Sequence, residues 1–160
     1  PGTGFGTVTI NTVLNTMRVQ VTFAGLAGTT TASHIHCCAP FGSNAQVATT
    51  TPSFVGFPLG VTSGSMDQTY DMTLAGSYNS SFLNNAVNGG NIATARATLF
   101  NGIIGGQAYL NIHTSAFPGG ELRTQLLAQV PEPASWGMMI AGFALIGGAL
   151  RVRMQRPAVA

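Results

Sequence analysis

The chain contains no lysine, and charged side chains make up 6% of it, where roughly a quarter is usual for a soluble domain. Its solvated faces must therefore be built from Thr, Ser, Asn, Gln and Gly. The formal net charge of +2 hides an uneven distribution. Arg151, Arg153 and Arg156 cluster near the C-terminal end, which leaves Arg18, Arg96 and Arg123 against Asp67, Asp71 and Glu121 in residues 1–130. That near-neutral body has no basic stripe and no aromatics interleaved with cations, so nucleic acid, which needs several phosphate contacts, is not an expected partner. Carboxylates are equally scarce. Asp67, Asp71 and Glu121 are the only ones in the body and no Gly-X-Ser-X-Gly elbow accompanies them, which speaks against hydrolysis. Cysteine is confined to Cys37 and Cys38. Adjacent in sequence, they cannot staple distant parts of a fold. A vicinal disulfide, a bond to another chain, metal ligation and free thiols are the alternatives.

What is present concentrates in His34-Ile35-His36-Cys37-Cys38, which holds both cysteines and two of the three histidines; the third closes Tyr109-Leu110-Asn111-Ile112-His113. Side chains of an extended strand alternate between faces, so His34 and His36 share one side, and His113 lies opposite Leu110 and Ile112. If the two segments are neighbouring strands, three imidazoles converge. In a regular strand Cys37 faces away from the histidines and Cys38 shares their face.

At 160 residues the chain is long enough for one domain with a core, plus a tail. Its first residues show no charged n-region followed by an apolar stretch, so a secretory signal, where the gene encodes one, lies outside this sequence. Alternation predicts strands over residues 4–10, 17–23, 32–38 and 107–113, a return strand over 46–51, a strand over 69–74 with Tyr70, Met72 and Leu74 inward, and a closing strand over 121–127. Residues 52–64, with Phe54, Phe57 and Leu59 among prolines and glycines, read as an irregular loop whose aromatics cap one end of the core. Between 80 and 105 the period changes to that of two short helices broken at Asn88-Gly89-Gly90. Many short strands with Gly/Pro turns predict an all-β antiparallel sandwich or Greek-key barrel with a helical insertion. Glu121 and Arg123, two apart on a strand, are expected on one face and suit a fixed ion pair with a neighbour more than catalysis.

The composition shifts at Val130-Pro131-Glu132-Pro133-Ala134. Prolines so close together stop a strand and make residues 129–135 an extended linker. Residues 136–150 are all apolar or glycine, and an Arg-rich tail over 151–160 follows. A run of about 15 residues is short against the roughly 20 a membrane-crossing helix needs. It suffices if Trp136 sits at one interface while Arg151, Arg153 and Arg156 snorkel at the other, on the cytoplasmic side. Val130-Pro131-Glu132-Pro133-Ala134, the apolar span and the arginines together resemble a PEP-CTERM sorting signal of Gram-negative, exopolysaccharide-producing bacteria. The resemblance implies export, a transient anchor in the inner membrane and recognition by an exosortase, a membrane cysteine protease that cuts near the Pro-Glu-Pro.

Residues 1–128 resemble a second family. His34-Ile35-His36, then Thr62-Ser63-Gly64-Ser65 before a strand, then Ala108 to Thr114 running into Pro118-Gly119-Gly120-Glu121-Leu122-Arg123, are similar in order and spacing to the CHRD, or chordin-type, domain. That resemblance implies an immunoglobulin-like or dismutase-like β-sandwich without an established enzymatic activity. Family members commonly carry a glycine soon after the second histidine and another after the Glu-hydrophobic-Arg triplet, where this chain has Cys37-Cys38 and Thr124. Pro1 to Gly6 resembles the second strand of the domain, which implies a first strand before it and an open sheet edge for pairing.

Two readings of the histidines stay open. Neutral imidazoles of His34, His36 and His113, with Cys38 at hand, are natural ligands for copper or zinc. Alternatively they hydrogen-bond strand neighbours such as Asn111 or Glu121 and keep the strands in register. Dismutase activity needs more ligands than three histidines supply. The sequence thus predicts an exported, non-enzymatic protein of the cell surface or biofilm matrix, with a copper- or zinc-binding extracellular protein as one alternative and a self-assembling surface subunit as another. An exosortase, the membrane, and an exopolysaccharide or further copies of the chain are the expected partners.

Overall fold

In the computed structural model, described over residues 2–128 and at residue 143, the body is built from two antiparallel sheets. Strands β1 (Thr3–Asn11) and β2 (Thr16–Ala24) form a hairpin. Its turn is held by the Asn11 side chain, whose Oδ1 accepts from Val13 N at 3.0 Å and Leu14 N at 2.8 Å, with Asn15 in the left-handed region that asparagine tolerates. β3 (Thr30–Cys37) and the short β4 (Gln46–Val47) follow, then β5 (Gly64–Asp71), which pairs with the free edge of β2. Helices α1 (Ser80–Leu83) and α2 (Ile92–Ile104) precede β6 (Ala108–Thr114) and β7 (Leu122–Leu126). The sheet orders are β1-β2-β5 and β4-β3-β6-β7.

The core lies between the sheets. β2 presents Met17, Val19, Val21 and Phe23, while β3 and β6 present Ile35, Cys37, Leu110 and Ile112. On β2 the alternation read from the sequence is thus the alternation of buried and more accessible faces. The insertion is helical as expected: Asn79 Oδ1 caps α1 by accepting from Ser81 N and Phe82 N, and Asn91 Oδ1 caps α2 by accepting from Thr94 N. α2 buries Ala95, Leu99, Phe100 and Ile103.

Three local expectations need correction. The return strand stops at Val47 instead of reaching Thr51, because Ala48 N and Thr49 N both donate to Ile35 O while Ile35 N donates to Thr49 Oγ1, which ends the regular ladder. The strand expected over 69–74 runs over 64–71 instead. Asp71 Oδ1 there accepts from Thr73 N at 2.8 Å and Thr73 Oγ1 at 2.7 Å, an Asx turn that breaks the phase of the alternation. Met72 stays buried, Tyr70 is half-buried, and Leu74 is 56% exposed. The aromatics of the 52–64 loop, Phe54 and Phe57, enter the core as expected. The linker expected over 129–135, the apolar helix over 136–150 apart from residue 143, and the Trp136 and arginine flanks lie outside the described residues.

Gly102 lets α2 approach β3. A Cβ on it would run into Cys37 Sγ and come within 3.0 Å of Cys38 Sγ. In an exposed helix Gly→Ala stabilises by about 1 kcal/mol, whereas overpacking a filled site costs about 1–3 kcal/mol. Gly102→Ala should therefore destabilise the domain by about 1–2 kcal/mol in chemical denaturation. An unchanged or raised midpoint would rule out the close approach.

Candidate metal centre

β3 and β6 pair antiparallel with His34 opposite Asn111, His36 opposite Tyr109 and Ala32 opposite His113. His34, His36, Tyr109, Asn111 and His113 consequently share the face that points away from the core. That face is covered by loops, for His34 is 7% and Asn111 5% exposed.

Each imidazole is oriented by a backbone carbonyl from a different loop. The Nδ1 atoms of His34, His36 and His113 lie 3.0 Å from Pro52 O, 2.7 Å from Ala45 O and 2.7 Å from Pro118 O, respectively. A carbonyl oxygen only accepts, so each Nδ1 carries the hydrogen and each neutral ring keeps its lone pair on Nε2. The ring atoms on offer all lie within 4.8 Å of one another. His34 Nε2 and His113 Nε2 are 3.0 Å apart, and His36 Nε2 is buried with no hydrogen-bond partner among the described residues. Lone pairs facing each other at that distance repel unless a proton or a cation lies between them. The donor chemistry therefore fits a transition-metal ion, with the Nδ1–H···O=C contacts as the outer shell that fixes tautomer and ring angle.

Burial pushes the His34 imidazolium down to about 4, with His36 and His113 adding to the shift and the Pro52 carbonyl opposing it. Burial lowers His36 as well, assisted by His113 and Arg123 and opposed by the Ala45 carbonyl. Both rings are hence held neutral near pH 7, the form that ligates metal.

The other expected site residues divide. Cys38 does not share the histidine face. Its φ of 81° leaves the strand conformation, its Sγ lies 3.7 Å from Thr98 O of α2, and it is bonded to Cys37 Sγ, so it offers no thiolate to the cluster. Among the described residues, neither Glu121 nor Arg123 forms an ion pair. The Glu121 carboxylate accepts from Ala27 N, Gly28 N and Thr114 Oγ1. Arg123 lies 3.5 Å over the Tyr109 ring and donates to Asn44 Oδ1 and Ser43 O. Tyr109 in turn stacks on His36 at 4.6 Å and 8° between planes. Asn111, expected beside the histidines, places Nδ2 3.3 Å from His113 Nε2. Sequence reasoning missed the three loop carbonyls, because backbone atoms leave no residue signal, and Arg123, whose loop partners are about 80 positions away.

A two-sheet antiparallel domain with a histidine cluster on one sheet face defines the class of the body. The model of the CHRD domain matches residues 1–126, and the chain belongs to that family. A PEP-CTERM protein-sorting motif matches residues 129–153, which implies export to the bacterial cell surface through an exosortase, a membrane protein. Neither a curated protein nor a solved structure matches the chain.

The lowered His34 value sets a pH dependence for the metal-free protein. A group whose folded value lies near 4 and whose unfolded value lies near 6.5 binds more protons when unfolded, so stability falls as the pH drops from about 6.5 to 4. Urea midpoints of the metal-free wild type should fall across that window, and His34→Gln should flatten the slope. Parallel slopes would show that His34 is not buried as a neutral base.

Proposed function

We propose that this protein is an exported, non-enzymatic component of the cell surface or biofilm matrix of a Gram-negative bacterium, and that its CHRD domain holds copper or zinc on His34, His36 and His113. The exosortase delivers it from a transient inner-membrane anchor, and an exopolysaccharide or other copies of the chain are its partners outside. The sorting motif over residues 129–153 supports the route. The observation that carries the metal reading is the convergence of the ligand atoms within 4.8 Å, each ring having its other nitrogen committed to a carbonyl.

Three neutral imidazoles with an open position suit zinc or copper rather than calcium or magnesium, which take oxygen donors. The scarcity of carboxylates around the cluster favours holding an ion over hydrolysis with it. A purely structural role for the histidines is the competing account. It leaves the contact between His34 Nε2 and His113 Nε2 and the partnerless His36 Nε2 without a purpose.

Elemental analysis of the purified protein should find about one copper or zinc per chain, absent from the His34/His36/His113 triple alanine variant. At a free ion concentration about 100 times the dissociation constant, the ion should stabilise the wild type by about 2.7 kcal/mol and the variant not at all. Equal, near-zero metal in both would end the metal reading. For the route, a tagged chain should accumulate in membranes and fail to reach the surface when the exosortase is deleted. A cytoplasmic pool indifferent to that deletion would contradict export.

A further inference from the structure

We propose that the side-chain carboxamide of Asn111 supplies the fourth donor of the centre, its oxygen joining His34, His36 and His113; this rests on reading the cluster as a metal site. Asn111 lies directly across the ladder from His34 and two positions before His113 on the same face. It is 5% exposed, yet its Oδ1 has no hydrogen-bond partner among the described residues. A buried carbonyl left unpaired is destabilising, so its retention calls for a partner that the described residues do not supply. The carboxamide nitrogen makes two long contacts, 3.3 Å to His113 Nε2 and 3.3 Å to Gly119 O.

The polarity of the surroundings decides which end of the amide faces the histidines. Beside imidazole lone pairs the N–H end is favoured, as the structure has it. Beside a cation the oxygen end is favoured, and a half-turn about the terminal torsion, which is soft in asparagine, exchanges the two. The exchange gives up only the two long contacts of the nitrogen, to His113 Nε2 and to Gly119 O. Gly120 leaves room for this head group, because a Cβ there would collide with the Asn111 carboxamide. The nearby alternatives are already engaged: Cys38 Sγ is bonded to Cys37 Sγ, and the Glu121 carboxylate accepts from Ala27, Gly28 and Thr114. Three nitrogens and one neutral oxygen form a set suited to divalent copper or zinc.

Cobalt(II) titrated into the full chain reports the donor set through its visible d–d bands, and zinc competition against a chromophoric chelator reports affinity. Asn111→Leu should weaken zinc binding about 10- to 100-fold and change the cobalt spectrum, while Asn111→Asp, which keeps an oxygen in place, should bind at least as tightly as the wild type. Circular dichroism checks that both variants fold, and Asn111→Asp still decides the matter if Asn111→Leu does not. Asn111→Leu binding as tightly as the wild type with the same spectrum, or Asn111→Asp binding as weakly as a folded Asn111→Leu, would overturn the fourth ligand and leave the three-histidine centre standing. If the wild type takes up neither cobalt nor zinc while the copper it carries on purification still depends on the histidines, Asn111 as a ligand for divalent ions is likewise rejected. Uptake of no metal at all by the wild type sinks the centre itself.

Discussion

The register between β3 and β6 is the constraint on which the rest of the structure depends. It sets Ile35 against Leu110 on the core side and, through the same ladder, His34 against Asn111 on the other. A slip of β3 by one residue would turn Ile35 and Cys37 outward and drive His34 and His36 into the core. Each fully buried large aliphatic is worth about 1.5–3 kcal/mol, so core packing is enough to fix the register that carries the site. The cluster can therefore be poor in internal satisfaction, with a partnerless His36 Nε2 and Asn111 Oδ1, because its position is imposed from the opposite face of the same strands.

Strand register alone does not aim an imidazole. The aim comes from the loops ending at Ala45, Pro52 and Pro118, whose carbonyls each hold one Nδ1. The first of these loops is tied back to the sheet: Ala45 N donates to the Tyr109 hydroxyl at 3.3 Å, and Arg123, lying over Tyr109, donates to Ser43 O and Asn44 Oδ1. Tyr109 stacks on His36, so ring, loop and cation make one connected support. An Arg guanidinium suits this place because it is planar, can lie on an aromatic face and still has donors left for carbonyls at its rim.

Much of this was legible in the residues. The alternation in 17–23, 32–38 and 107–113 shows which side chains share a face, and Asn88-Gly89-Gly90 marks the break between the helices. Convergence of the histidines followed from those phases plus the pairing of their strands, which topology had to supply. What was not legible depends on local departures from regular backbone or on distant partners. Cys38 was assigned to the histidine face by alternation, but a positive φ sends its sulfur toward α2. Leu74 was assigned inward, but the Asx turn at Asp71 ends the strand first. Glu121 and Arg123 were read as halves of ion pairs, whereas one serves backbone amides of residues 27 and 28 and the other a loop near residue 44.

Export and the chemistry of the domain agree with one another. A bonded Cys37–Cys38 pair suits an oxidising compartment, which is where the sorting motif sends the chain. A chain with 6% charged residues offers a dication little electrostatic attraction, so in the proposed metal centre affinity would have to come from directed lone pairs rather than from accumulated negative charge. Directed lone pairs work only if the rings are neutral and pre-aimed. Burial supplies the first condition by disfavouring the imidazolium of His34 and His36, and the carbonyls supply the second. In such a site selectivity follows the preference of an ion for nitrogen over oxygen. On the proposed metal reading, low surface charge and a cluster of three imidazoles belong together, because a site that selects by ligand type leaves little for calcium or magnesium to bind.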